Sequence, residues 1–551
     1  MAGIVAAVAR HAARAPDKPF LILRRRGTVE TLPYGALMAE ARRFAAGFAA
    51  RGAADGATVA LMLPTHAATA PAFLGAMLAG AVPSLFPPPT PKQQPELFWA
   101  AQRAVFSRVG PALIAADAAT RAALATHLPE WAERAVAIEA LAADPGFAGE
   151  AAEDGLAFLQ HSSGTTGLRK GVMLTHAAVL DFAAALGEAP AIDERDVIAS
   201  WLPLYHDMGL VGCLVLPMLL GLTVVQLDPF EWVGRPALLF EAIEAHAASL
   251  CWMPNFAFHH LLRTAPRAGR WALGSVRALI DCSEPCKPQT LRAFAARFAA
   301  CGLREGALAA SYGMAENVFI ATQTRPGTAP RSLRADRAAF AETGRIVAPE
   351  AGAPEVEFLS CGPPIPRTEI RILDEAGVAL RERAVGEIAV SSPYLFAGYH
   401  RAPVPEGRFA GDWYCTGDLG FLDDGEIFVC GRTDDLLIVN GRNVYAHDVE
   451  FAINARTAVR PGRCVAIAPE SERTGSRVLV VIAESDAGDP AALAEAIRAV
   501  VEAEFGFPPG EVRIEAPGWM VKTTSGKVSR GANLAKYLGE DAQRAGAARA
   551  V

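Results

Sequence analysis

Between residues 20 and 150 the chain alternates short apolar runs with alanine-rich stretches, and that alternation leaves few architectures open. Residues 59–63 read as a strand ended by Pro64, 67–79 as a helix closed by Gly80, and 82–86 as the next strand, before the prolines at 87–89. Residues 113–116 read as another strand. Such alternation implies a largely parallel sheet with helices on both faces, the doubly wound α/β class. The pattern resumes at 197–199. From about residue 365 the strands shorten (369–373, 386–390, 425–429) and turns such as Asp424-Gly425 separate them, as in an antiparallel unit. Past Gly431 a small α+β unit follows, with strands at 465–468 and 478–484 and then a helix. Asp489 is that helix's N-cap, Pro490 its first residue and Gly506 its end, with Leu493, Ile497 and Val501 on one face. Residues 322–354 are rich in Pro, Arg and Gly and weakly periodic, and read as an insertion or long loop. The expected organisation is a large α/β domain over 1–431 with a small antiparallel β subdomain, a junction at 432–434, and a small α+β domain over 435–551.

Composition closes off other classes. Of 551 residues 52% are hydrophobic and 20% charged, which is a folded globular chain. A net charge of −7 argues against nucleic acid as the main partner. The nine cysteines are odd in number and form no C-x-x-C pair, so buried thiols in a reducing, cytoplasmic setting are expected. Cys282 and Cys286 lack the paired His/Cys set of a metal site. Residues 208–227 carry no charge and match a membrane span in length. Pro217 and glycines at 209, 212 and 221 interrupt them, however, and they divide into a helix (210–220) and a strand (223–227), so no transmembrane segment is expected. The first fifteen residues lack the order of a signal peptide and read as an ordinary helix before Pro16.

One stretch carries chemistry. Apolar residues 156–159 and 172–174 flank Ser162-Ser163-Gly164-Thr165-Thr166-Gly167, with Lys170 at its end. The glycines let the backbone turn tightly, while the hydroxyls, free N–H groups and lysine suit phosphate oxygens. The order differs from the common nucleotide P-loop. Thr175 is placed to cap the next helix.

Four more stretches line up behind it: Ser311-Tyr312-Gly313-Met314-Ala315-Glu316, Tyr414-Cys415-Thr416-Gly417-Asp418-Leu419-Gly420, Gly431-Arg432-Thr433-Asp434-Asp435 with Gly441-Arg442-Asn443, and Lys522-Thr523-Thr524-Ser525-Gly526-Lys527. In this order the set resembles the adenylate-forming superfamily of acyl-CoA synthetases, peptide-synthetase adenylation domains and luciferases. The stretches Ser200-Trp201-Leu202-Pro203-Leu204-Tyr205-His206-Asp207-Met208-Gly209, Pro254-Asn255-Phe256-Ala257 and Glu284-Pro285, with the segment 335–362, look most like fatty acyl-AMP ligases.

The resemblance implies ATP-dependent activation of a carboxylic acid, a fatty or related aliphatic one, to an acyl-adenylate with release of pyrophosphate. The acyl group then passes to the phosphopantetheine thiol of an acyl carrier protein, expected to be separate because the chain ends soon after its last motif. An acyl-CoA ligase and a catalytically silent nucleotide- or acyl-binding module are the alternatives. By the same resemblance, the 162–170 loop would hold the β- and γ-phosphates. Glu316 and Thr165 would hold Mg²⁺, with Thr165 also serving catalysis. Tyr312 would stack on adenine between Ser311, Gly313 and Met314, Asp418 would accept the ribose hydroxyls, and Arg432 would meet ribose or phosphate. Lys527 would reach the carboxylate and α-phosphate from a mobile C-terminal domain hinged at Asp434. His206 would lie at the junction of acyl and nucleotide sites. Asp207, Met208, Asn255, Phe256, Cys282 and Ser283 would line the acyl pocket. Cys282 and Ser283 stand where the resembled family has Gly-Ala, which would narrow the pocket toward a shorter or more polar acid. Arg169 and Val521, each where proline is usual, are peripheral departures.

Overall fold

A computed structural model of the chain describes residues 3–90, 95–142, 147, 149, 155–161, 170–188, 192–266, 271–439, 442–460, 462–470, 477–486, 488–522 and 528–549. Two sheets form the large part. The first runs in the order Ala135–Ala137, Leu113–Ala116, Thr58–Met62, Val82–Leu85, Leu156–His161, Gly171–Thr175. Its neighbours are parallel except the last two, where Gln160 faces Val172 across an antiparallel pair. The second sheet runs Ile320–Gln323, Leu308–Gly313, Ala278–Asp281, Leu250–Met253, Val197–Ser200, Thr223–Leu227, Pro19–Arg25, Thr28–Pro33. It is parallel inside and antiparallel at both edges. The inner strands read as continuous apolar runs because they are buried on both faces. All five residues of Thr58–Met62 are covered, and one hydrophobic core spans both sheets. Within it the Tyr34 hydroxyl lies 2.8 Å from both Pro217 O and Leu222 O, its one proton shared between them, tying the start of helix Tyr34–Ala49 to the buried Leu216–Leu220 turn.

The antiparallel unit comprises Glu369–Leu373, Gly386–Ser391, Trp413–Asp423, Phe409–Ala410 and Glu426–Arg432. Its last hairpin turns on Asp424 and Gly425, whose φ values of +53° and +71° match the twist that a tight hairpin needs. The C-terminal residues build cores of their own around the strands Cys464–Ile467, Val480–Glu484 and Glu511–Glu515. The helix Pro490–Phe505 is capped by Asp489, which accepts from Ala492 N at 3.0 Å, and ends at left-handed Gly506. Ion pairs Lys287–Asp448 (2.6 Å) and Arg337–Glu504 (3.2 Å) hold this unit against the rest.

Two expectations need correction, and one strand was not foreseen. Residues 322–354 are not simply a loop. They hold the strand Ser332–Asp336, paired with Glu355–Leu359, and the helix Arg337–Thr343, whose Asp336 cap accepts from Ala339 N. Phe340 packs on Phe358 and Tyr445 there, a long-range burial that no local periodicity announces. The longest strand of the antiparallel unit, Trp413–Asp423, went unread because Gly417 and Gly420 break its apolar pattern. The helix expected at 210–220 begins earlier, at Asp207, and carries a widened π-type turn over Val211–Val215 ahead of Pro217, which has no N–H to continue a regular ladder. Among the described residues no helix is long and apolar enough to cross a membrane.

Candidate active site

The centre of the Ser/Thr/Gly loop, with Ser162, Ser163, Gly164, Thr165, Thr166 and Gly167, lies outside the described residues, as do Gly441 and Lys527. The two strands that carry the loop are described, and they aim its ends. On one side buried His161 has Nε2 2.8 Å from Ser84 Oγ and its ring against Phe86. On the other, Lys170 leads into Gly171–Thr175. That strand is joined by residues 397–400 through Ala397 N to Met173 O (2.9 Å), Met173 N to Gly398 O (3.0 Å) and His400 N to Gly171 O (2.8 Å). The pairing sets Tyr399 beneath Lys170, with Nζ 4.6 Å from the ring centroid. The Tyr399 hydroxyl donates to Glu316 Oε1 at 2.7 Å and lies 3.2 Å from the Tyr414 hydroxyl. Burial lowers the Lys170 pKa, nearby Arg408 lowers it further, and Glu316 opposes both. Two cations and one carboxylate thus converge where the Ser/Thr/Gly loop ends.

A second group forms at the ends of Leu308–Gly313 and within Trp413–Asp423. Tyr312 is buried, and its hydroxyl donates to Asp418 Oδ2 at 2.8 Å. Arg432 Nε donates to Asp418 Oδ1 at 2.9 Å. Desolvation, then the Asp418 charge, push the Tyr312 pKa well up, so the phenol stays a donor. Both Asp418 oxygens are engaged, yet each keeps a second lone pair, so hydroxyl donors from a ligand still have acceptors. Gly417 takes φ +78° and would set a Cβ 2.8 Å from Arg408 Nη1, so the guanidinium packs directly on this turn. Arg408 also donates to Cys415 O at 3.1 Å. Ser311 sits in register with Gln323, Gly313 packs on the Phe319 carbonyl, and Met314 is buried beside them.

The third group gathers at the C-terminal ends of neighbouring parallel strands, the edge where open α/β sheets bind ligands. Cys282 is buried next to Ser311, Asp207 and Ser283, and desolvation pushes its thiol up to about 12. Ser283 holds φ +71°, a left-handed conformation uncommon outside glycine. Glu284 Oε2 accepts from Phe256 N at 3.1 Å and so pins the start of helix Asn255–Thr264 to this loop. Asn255 Oδ1 is buried with no hydrogen-bond partner among the described residues. Phe256 meets Trp201 edge-on at 5.8 Å, and Trp201 stacks on Trp232 at 3.7 Å. Asp207 and buried Met208 open the next helix, behind His206, whose ring is 4.8 Å from Tyr205. Asp434 is exposed in the single turn Thr433–Asp435, between the antiparallel unit and the C-terminal cores.

Tyr399, Arg408 and Trp232 were missed in the sequence, and Tyr414, which opens one of the quoted stretches, was given no role. The first three sit in no motif-like run; Gly398-Tyr399 is the faintest of signals. Fully buried Asp281 was also passed over. Burial, then Glu284, raise its pKa well above the carboxylate range.

Comparison with known proteins now gives these groups a context. Residues 8–400 match the profile of the AMP-binding enzyme family. The chain belongs to that family. It is 32% identical over 406 residues to the medium-chain-fatty-acid–[acyl-carrier-protein] ligase JamA of Moorena producens, across 70% of this chain and 68% of that one. It is 30% identical over 418 residues to the long-chain-fatty-acid–AMP ligase FadD26 of Mycobacterium marinum, across 71% of each. Among solved structures it superposes on one from a study of fatty acyl-adenylate ligases of E. coli and L. pneumophila, with TM-score 0.91 and 26% identity over 99% of this chain and 98% of that one. The protein is an adenylate-forming ligase whose relatives include fatty acyl-AMP ligases, and its large parallel and small antiparallel sheets are those of that fold.

Proposed function

We propose that this ligase activates a fatty or related aliphatic acid with MgATP and hands the acyl group to the phosphopantetheine thiol of a separate acyl carrier protein. In the first step a carboxylate oxygen attacks the α-phosphorus, and the bond to the bridging oxygen of pyrophosphate breaks. In the second, the thiol attacks the acyl carbon and AMP leaves with the bonding pair. The observation that carries the reading is the convergence of Lys170, Glu316 and Tyr399 with the Tyr312–Asp418–Arg432 group, drawn from the two large sheets and the antiparallel unit.

Each side chain has a task within it. Lys170, with Arg408 behind it, offers positive charge where the leaving phosphates accumulate negative charge. Asp418 accepts from ribose, and Tyr312 offers its ring to adenine. Glu316 fits a magnesium site: it is an oxygen donor whose Oε1 accepts from Tyr399, and its carboxylate has further lone pairs for an ion. Among the described residues no cluster of three or more acidic, His or Cys side chains forms a dedicated cage. Magnesium is commonly held by one or two carboxylates together with substrate phosphates. When bound, magnesium would offset charge on the phosphate oxygens. Lys527 is assigned the transient contact to carboxylate and α-phosphate. Rotation at Asp434 would withdraw it and admit the carrier arm.

The test is pyrophosphate release with ATP, Mg²⁺ and acids from short to long, each with and without CoA and with a carrier protein, beside Lys527→Ala. Release with aliphatic acids, an acyl-AMP end product despite CoA, and acyl transfer to carrier are expected. Removing Lys527 should lower the rate about 10²–10³-fold. Acyl-CoA accumulation would overturn the carrier reading, and absence of release with every acid would overturn the ligase reading.

A further inference from the structure

The loop that carries Glu316 contains a strained backbone turn. Between the strands Leu308–Gly313 and Ile320–Gln323, Met314 N donates to Phe319 O at 2.7 Å. The chain makes one short helical turn over Ala315–Asn317 and must then reverse within a single residue. That residue is Val318, at φ +61° and ψ −56°. Phe319 N donates across it to Asn317 O at 2.6 Å. A bond from residue i+2 back to residue i with these angles is the classic γ-turn, rare and strained even for small residues. At a β-branched residue a positive φ is a genuine outlier.

The surroundings hold the turn in place. Val318 is fully buried. Asn317, also fully buried, donates Nδ2 to Ile320 O at 3.0 Å, and its Oδ1 accepts from Ser392 Oγ. Phe396 N donates to Glu316 O at 2.8 Å, and Tyr399 holds the Glu316 carboxylate. Gly313 has no room for a Cβ because the Phe319 carbonyl lies where it would go. Strain that persists under this many constraints marks an imposed geometry.

We infer that the Val318 γ-turn, clamped by Asn317 and Ser392, is a positioning device that presents the Glu316 carboxylate to the metal–triphosphate. Val318 and Asn317 touch no ligand themselves; they act through Glu316. The inference rests on the reading of Glu316 as a magnesium ligand.

The experiment measures ATP affinity of the intact protein by calorimetry, in excess Mg²⁺ and again in chelator, for wild type, Val318→Gly, Asn317→Ala, Val318→Thr and Glu316→Ala. Thermal midpoints check that each variant is folded. The readout is the gain in affinity on adding Mg²⁺. Glycine is free to leave the turn, and alanine at 317 removes the clamp. Both should cut that gain about tenfold, the low end for loss of a group that orients a metal ligand. Both should leave affinity in chelator within about twofold. Threonine keeps the branched shape and should keep the gain. If Glu316→Ala loses the gain while Val318→Gly and Asn317→Ala keep it, the positioning role is refuted. An equal loss with and without Mg²⁺ refutes it too, since that is what general damage produces. If Glu316→Ala itself keeps the gain, the metal reading falls and the turn's role falls with it.

Discussion

Replacing Tyr312 by phenylalanine separates the two tasks proposed for that side chain. The ring stays, so its face remains for a base. The hydroxyl goes, and with it the 2.8 Å donation to Asp418 Oδ2. A hydrogen bond to a charged partner contributes about 1.5–3 kcal/mol. Asp418 keeps Arg432 on its other oxygen at 2.9 Å, and its own N–H still donates to Thr416 Oγ1 at 3.1 Å, so the carboxylate is loosened rather than released. The lower end, about 1.5 kcal/mol, therefore applies, which is about tenfold in affinity. On the proposed reading Asp418 holds the ribose in ground and transition states alike, so the loss should fall on the KM for ATP more than on kcat. Tyr312→Ala removes the ring as well and should cost a further factor of about ten or more, since stacking on a base is worth about 1–3 kcal/mol. Pyrophosphate release against ATP concentration reads both variants. If Tyr312→Phe stays within about twofold of wild type in KM, the hydroxyl does not order Asp418 for ribose, and the chain of reasoning from Tyr312 through Asp418 fails.

Three more outcomes are expected. Gly313→Ala would put a Cβ 2.1 Å from the Phe319 carbonyl oxygen; the loop bearing Tyr312 and Glu316 must shift, with about 1–3 kcal/mol of destabilisation and loss of activity, and an unperturbed melting midpoint would refute the clash. His447 is buried in its folded surroundings, which lowers its pKa to about 4. The unfolded chain takes up that proton near the ordinary imidazole value of about 6.5, so stability should fall as pH drops from there toward 4, and His447→Gln should flatten the slope by about one proton. Equal slopes of melting midpoint against pH in the two proteins would refute it. Cys282→Gly should shift the ratio of rates on longer to shorter acids upward by on the order of tenfold, the value of about one methylene's space, and an unchanged ratio would take Cys282 out of the pocket wall.

Much of the fold was legible because its signals are local. The strand 113–116 and the strand 223–227 were read to the residue, and Asp489, Pro490 and Gly506 cap and close their helix as their chemistry dictates. The Asp424-Gly425 turn and the Thr175 cap, which accepts from Ala178 N at 3.1 Å, were equally plain. The strand Trp413–Asp423 and the helix Arg337–Thr343 were not, because glycines interrupt the first and packing of Phe340 against distant aromatics sustains the second.

The same division runs through the site. Motif order and residue chemistry were enough to single out Lys170, Tyr312, Glu316, Asp418 and Arg432 as candidates. They said nothing of Tyr399, whose hydroxyl meets Glu316 across 83 residues of chain, nor that Tyr312 would donate to Asp418 across 106. Those contacts exist because residues 397–400 pair with the strand Gly171–Thr175 and because a long antiparallel strand sets Asp418 against the end of a parallel one. Composition, spacing and capping act over a few residues and can be read along the chain. Register between distant strands is decided only when their faces are buried together, and it is register that brings the acceptors of this site to their donors.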